Sequence, residues 1–81
     1  MAMLRTVPVG LIGAGRIGSS HAGIIARRVP GADLVAVADP RPGVAETLGA
    51  SLGARGVTDI DDILAAPDIE AVVIAASSDA H

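Results

Sequence analysis

Gly13-Ala14-Gly15-Arg16-Ile17-Gly18 follows directly on the apolar run Val7–Ile12, and Asp39 closes the next apolar run. Glycines at the first, third and sixth positions are common in proteins. Here they come at the end of an expected strand and at the head of an expected helix, with an acid at the end of the following strand about 20 residues on. In that context they form a dinucleotide-binding fingerprint. Gly13 is expected to turn the chain sharply out of the strand. Gly15, with no Cβ, lets the backbone approach a pyrophosphate, and Gly18 lets the helix lie close to the sheet. The first N–H groups of the helix and the positive end of its dipole would then face the phosphates.

The pattern outward from this stretch alternates strand and helix. Val7–Ile12 reads as a buried parallel strand. Residues 16–28 read as an amphipathic helix with Ile17, His21, Ile24 and Ile25 on its apolar stripe, stopped by Pro30-Gly31. Leu34–Ala38 is a second strand, apolar throughout as a strand covered on both faces should be. A turn at Asp39-Pro40-Arg41-Pro42 leads into a helix with Pro42 at its first position, Val44, Leu48 and Leu52 on one face, and Gly53 as C-cap. Gly56-Val57 is a short third strand. Thr58 is the expected N-cap of a third helix, with Asp59, Asp61 and Asp62 near its N-terminus and Ile60, Ile63 and Leu64 as its buried stripe. Ala71–Ala75 is the fourth strand. Right-handed crossovers give an α/β Rossmann-type parallel sheet, β-α-β-α-β-α-β, in the order 3-2-1-4. A ligand is expected at the switch point between strands one and four. A complete dinucleotide fold adds two more strands, so the chain reads as an incomplete N-terminal nucleotide-binding domain without a substrate domain.

Composition narrows the function classes. The 81 residues are 51% hydrophobic with a net charge of −3, which fits one small globular domain. All six basic residues are arginines, and there is no lysine, aromatic residue or cysteine. A basic footprint for nucleic acid, stacking platforms for bases, disulfides and thiolate metal sites are therefore excluded. No apolar run approaches the roughly 18 residues needed to span a membrane, and no signal-peptide core is visible. The expected compartment is the cytoplasm. The acids Asp59, Asp61 and Asp62 suit a helix N-terminus and lack the spacing of a metal loop.

The stretches Val9–Ala22, Leu34–Pro42 and Asp68–His81 together resemble the N-terminus of the Gfo/Idh/MocA oxidoreductases, which include glucose–fructose oxidoreductase and inositol 2-dehydrogenase. The resemblance covers essentially the whole chain. Its distinctive parts are the histidine after the third glycine, here His21, and the ending Ala76-Ser77-Ser78-Asp79-Ala80-His81. There His81 matches the family pattern, while Ala76 and Ser77 replace the usual threonine and proline. The resemblance implies that this part binds NAD(H) or NADP(H). It also implies that a second domain binds a sugar or polyol, and that the catalytic lysine lies in a Glu-Lys-Pro segment beyond strand four. The alternative is a nucleotide-binding module or inactive fragment without catalysis.

Gly13, Gly15, Arg16, Ile17, Gly18, Asp39, Arg41, Ala76, Ser77 and Ser78 are the candidate cofactor-binding residues. Asp39 can accept both adenosine-ribose hydroxyls and would repel a 2′-phosphate, favouring NAD over NADP. Arg41 either lies on the surface or offsets that preference by pairing with a phosphate. Arg16 either contacts phosphate or is a surface residue. Ser77 and Ser78 either approach the nicotinamide ribose or cap a following helix. The roles of His21 and His81 stay open. The strand 71–75 has no charge, proline or bulge on its outer edge, so self-association through it is expected.

Overall fold

The computed structural model describes residues 6–75 and has the expected element order. Strand β1 (Val7–Ile12), helix α1 (Arg16–Arg28), strand β2 (Ala32–Ala38), helix α2 (Val44–Leu52), strand β3 (Arg55–Val57), helix α3 (Ile60–Leu64) and strand β4 (Ala71–Ile74) follow in turn. The strands form one parallel sheet in the order β3-β2-β1-β4. Both central strands run between neighbours, which explains their nearly unbroken apolar sequences.

The two faces of the sheet are packed differently. Leu11, Leu34 and Val37 join Ala22 of α1 and Ala45 of α2 in one buried cluster, with Ile25, Val44, Leu48 and Leu52 packed against it. On the other face Ala36, Ala38 and Ile63 form a smaller cluster with Ile12, Val57 and Ile69 around it. Gly10 of β1 belongs to this second arrangement. A Cβ there would come within 2.8 Å of the Ile63 side chain, so α3 can approach β1 only over a glycine.

Several boundaries and faces differ from the expectations. Helix α1 packs through its small residues: Gly18 and Ala22 are buried, whereas His21 and Ile24 face outward. Ile25 of the expected stripe packs against the core, whereas His21 gives way to Ala22 where the helix comes close to the sheet at Gly18. Pro42 lies outside α2, whose N-cap is Gly43 in the left-handed region at φ 81°. The chain needs that residue to leave the Asp39–Pro42 turn, and only glycine adopts it without strain. Gly53 is the C-cap as expected, at φ 75°, its N–H donating to the Gly49 carbonyl. Helix α3 is capped by Asp59, not Thr58, because the Asp59 carboxylate accepts the Asp61 N–H at 2.9 Å. Of the expected α3 stripe only Ile63 is buried, while Ile60 and Leu64 remain exposed. A five-residue helix is too short to press more than one side chain onto the sheet. Strand β2 begins two residues earlier than the expected Leu34, β3 takes in Arg55, and β4 ends at Ile74.

On β4, Val72 and Ile74 are exposed, Ile74 at 69%. Among the described residues β4 pairs only with β1.

Candidate functional site

The site lies where β1 and β2 end side by side. The Gly13 N–H donates to the Ala38 carbonyl at 2.7 Å, fastening the end of β1 to β2. Gly13 has φ 103°, and a Cβ on it would lie 2.5 Å from the Ala75 carbonyl oxygen. Its glycine is demanded twice, by backbone conformation and by the crossing of the chain after β4. Gly18 is buried in the first turn of α1, and a Cβ on it would strike the Gly13 carbonyl. That contact is the close helix–strand packing expected of the third glycine.

Gly15 is different. It is the N-cap of α1 with φ −75°, a conformation open to any residue. Among the described residues, a Cβ there would meet only the Arg41 Nη2, at 3.2 Å. Nothing in the packing among the described residues explains a glycine at this position. The space it leaves is open to a ligand lying against the backbone.

The N-terminus of α1 is also bare in a way the others are not. It has no side-chain cap and no acid in its first turn. By contrast, α3 is capped by Asp59 and has Asp61 and Asp62 in its first turn, and α2 has Glu46. The first N–H groups of a helix lack intrahelical partners. At α1, among the described residues, no side chain caps these N–H groups and the first turn holds no acid. Arg16 and Ile17 contribute backbone to this turn. The expectations for their side chains, and those for Ala76, Ser77, Ser78 and His81, lie outside the described residues.

Asp39 joins the two loops. Its residue is only 4% exposed, and its N–H donates to the Val57 carbonyl of β3 at 3.0 Å. Oδ2 accepts the Ala14 N–H at 2.9 Å, and Oδ1 accepts the Arg41 N–H at 3.0 Å. The glycine loop and the β2–α2 turn are thus both tied to one carboxylate. The Arg41 guanidinium then grips the same group, Nε to Oδ1 at 2.9 Å and Nη2 to Oδ2 at 3.0 Å. These bonds hold the Asp39 carboxyl well below the usual carboxylate range. The side-chain bonds to Arg41 are the largest cause, opposed by burial and reinforced by the two backbone N–H groups. With these bonds in place the Asp39 carboxyl is ionised at neutral pH.

The structure brings Gly13, Gly15, Gly18, Asp39 and Arg41 together at one end of the sheet. The expectation for Arg41 was either a surface position or a phosphate contact, and the ion pair with Asp39 was not foreseen. Its only trace in the sequence is the spacing of the two charges around Pro40 in a tight turn. The Ala14 N–H bond to Asp39 left no trace, because any residue supplies that donor. A shallow groove between α1 and α2, bordered by Ser19, Val44, Thr47 and Ser51, opens beside the loop and was likewise not indicated. Among the described residues no His, Cys, Asp and Glu side chains converge to hold a metal ion, and no helix is long and apolar enough to cross a membrane.

Comparison with known proteins agrees with this geometry. The chain is 49% identical over 76 residues to an inositol 2-dehydrogenase of Rhizobium meliloti, covering 94% of this chain and 22% of that protein. It is 42% identical over 82 residues to an inositol 2-dehydrogenase of Acidothermus cellulolyticus, covering 100% of this chain and 24% of the relative. The crystal structure of scyllo-inositol dehydrogenase from Lactobacillus casei, with bound NAD(H) and scyllo-inositol, superposes with a TM-score of 0.81 at 35% identity, over 95% of this chain and 23% of that one. The chain thus spans about a quarter of the length of these relatives. Residues 7–81 match the family described as oxidoreductases with an NAD-binding Rossmann fold. With its glycine loop, its carboxylate at the end of β2 and its 3-2-1-4 sheet, the chain belongs to the Gfo/Idh/MocA oxidoreductase family.

Proposed function

We propose that this chain is the nucleotide-binding part of an NAD-dependent oxidoreductase acting on a sugar or polyol of the inositol type. The observation that carries the reading is Gly15, a glycine that packing among the described residues does not require, at the uncapped N-terminus of α1 and beside a buried carboxylate whose pKa is lowered. A pyrophosphate laid along Gly15 would meet the first N–H groups of α1. Asp39 would accept the adenosine-ribose hydroxyls. The nicotinamide would carry the hydride, and this part of the protein would hold and orient it. The substrate class rests on the inositol dehydrogenases among the relatives, since residues 6–75 contain no substrate pocket of that kind to argue from.

The negative charge of Asp39 favours NAD over NADP, because a 2′-phosphate would be placed against it. Arg41 partly offsets this by offering the phosphate a guanidinium. The test is a calorimetric titration of the protein at its full native length with both cofactors. NAD is expected to bind more tightly. Equal or tighter binding of NADP would overturn the assignment of Asp39 as the selecting group, and binding of neither would overturn the whole reading.

A further inference from the structure

Asp39 has four donors on its two oxygens, and they fall into two kinds. Two are backbone N–H groups, Ala14 on Oδ2 and Arg41 on Oδ1, fixed by the fold. The other two are the guanidinium Nε and Nη2 of Arg41, whose side chain is 61% exposed. A ribose diol recognised by this carboxylate needs two acceptor positions, one for each hydroxyl. Those positions are the ones the guanidinium fills. The same Nη2 lies 3.2 Å from where a Gly15 Cβ would stand, so the guanidinium also overlies the glycine loop.

We propose that Arg41 is a latch on the ribose-recognition carboxylate: without nucleotide its guanidinium holds both oxygens of Asp39, and the ribose diol enters by exchanging with it. The proposal rests on the nucleotide-binding reading above and adds a device that regulates entry to that site. The exchange replaces two donors with two donors. The buried carboxylate is therefore never left without partners, which would carry a heavy desolvation penalty. The backbone bonds from Ala14 and Arg41 keep the carboxylate in the same orientation in both states. The released guanidinium passes to solvent, where it is fully hydrated. Because that arm is exposed, the latch competes only modestly with the ligand.

The test compares NAD with its analogue lacking both adenosine-ribose hydroxyls, titrated against wild type, Arg41→Ala and Arg41→Lys in the full-length protein. Arg41→Ala should bind NAD about two- to fivefold more tightly than wild type, the range set by an exposed ion pair. The dihydroxy-deficient analogue does not compete for the carboxylate, so its affinity should rise clearly less than that of NAD. Arg41→Lys, with a single ammonium in place of the fork, should fall between. Weaker NAD binding by Arg41→Ala would make Arg41 a direct cofactor contact and overturn the latch. Equal gains for NAD and the analogue would overturn it too, since the guanidinium would then merely obstruct. If NAD binds wild type and Arg41→Ala alike, the latch alone fails. If NAD binds neither, the nucleotide-binding reading fails and takes the latch with it. An independent readout needs no variant: the Arg41 Nε–H resonance of wild type should be protected from exchange without nucleotide and lose protection when NAD binds. Protection that persists with NAD bound would overturn the proposal.

Discussion

Two aspartate–arginine forks stand at opposite ends of the sheet. At the carboxyl ends of the strands, Arg41 grips Asp39 at 2.9 and 3.0 Å. At the amino ends, Arg55 grips Asp68 at 2.8 and 3.0 Å. The bond lengths are nearly the same, and the surroundings are not. The Asp39 side chain is 5% exposed and is held in addition by two backbone N–H groups, whereas Asp68 and Arg55 are 53% and 47% exposed. Both carboxyls are pulled below their usual range, chiefly by the arginine hydrogen bonds. Of the two, only Asp39 sits beside a helix N-terminus and a glycine that packing among the described residues does not require. An ion pair acquires a role from what borders it, and the fork itself is not a sign of function.

The glycine loop next to Asp39 offers the largest test of that contrast. Gly18→Val would drive a side chain into the Gly13 carbonyl, and Gly13→Ala would combine a left-handed residue with a clash at Ala75. Each is expected to cost about 2–5 kcal/mol of stability, measured by denaturant or thermal unfolding. Gly15→Val should instead leave stability within about 1 kcal/mol of wild type, the scale of a changed N-cap, and abolish NAD binding. Loss of the fold in Gly15→Val would show that its glycine is structural after all.

Next in size is Asp39→Asn. The amide oxygen can still accept the Ala14 N–H, so the loop stays tied, but the charge is gone. The preference for NAD over NADP should shrink by about tenfold, read from paired titrations. An unchanged preference would remove Asp39 from cofactor selection.

A smaller effect concerns pH. Asp39 has a folded-state pKa below its ordinary value of 3.8, so its contribution to stability is present in full above that value and fades as pH falls below it. NAD affinity should accordingly be flat from about pH 8 down to about pH 5. A fall in affinity across that window would mean that Asp39 titrates within it. Asp68 is shifted in the same direction by Arg55, with the same sign and a smaller consequence because both groups are in solvent. The smallest effect expected is that of Arg55→Ala, which should leave the unfolding midpoint and NAD binding essentially unchanged. A marked drop in either would put the amino-end fork on the same footing as the carboxyl-end one.

The sequence by itself determined the element order, the parallel sheet and its 3-2-1-4 arrangement. Apolar runs bounded by Gly and Pro are local features, and the handedness of crossovers leaves few topologies to choose from. It also placed Gly13, Gly15, Gly18 and Asp39 at one site, since their spacing around a strand–helix turn fixes where they meet. Tertiary structure decided which of the three glycines the fold itself requires. That depends on what lies opposite each one among the described residues: Ala75 opposite Gly13, the Gly13 carbonyl opposite Gly18, and only the Arg41 guanidinium opposite Gly15. It likewise decided that α1 buries Ala22 and turns out His21 and Ile24, because the closest point between helix and sheet sets the buried stripe more strongly than side-chain size. Finally, it decided that Arg41 closes on Asp39. Both charges are plain in the sequence, but their geometry comes from a turn held by residues far away along the chain: the Val57 carbonyl accepts the Asp39 N–H, and the Ala14 N–H donates to the Asp39 carboxylate.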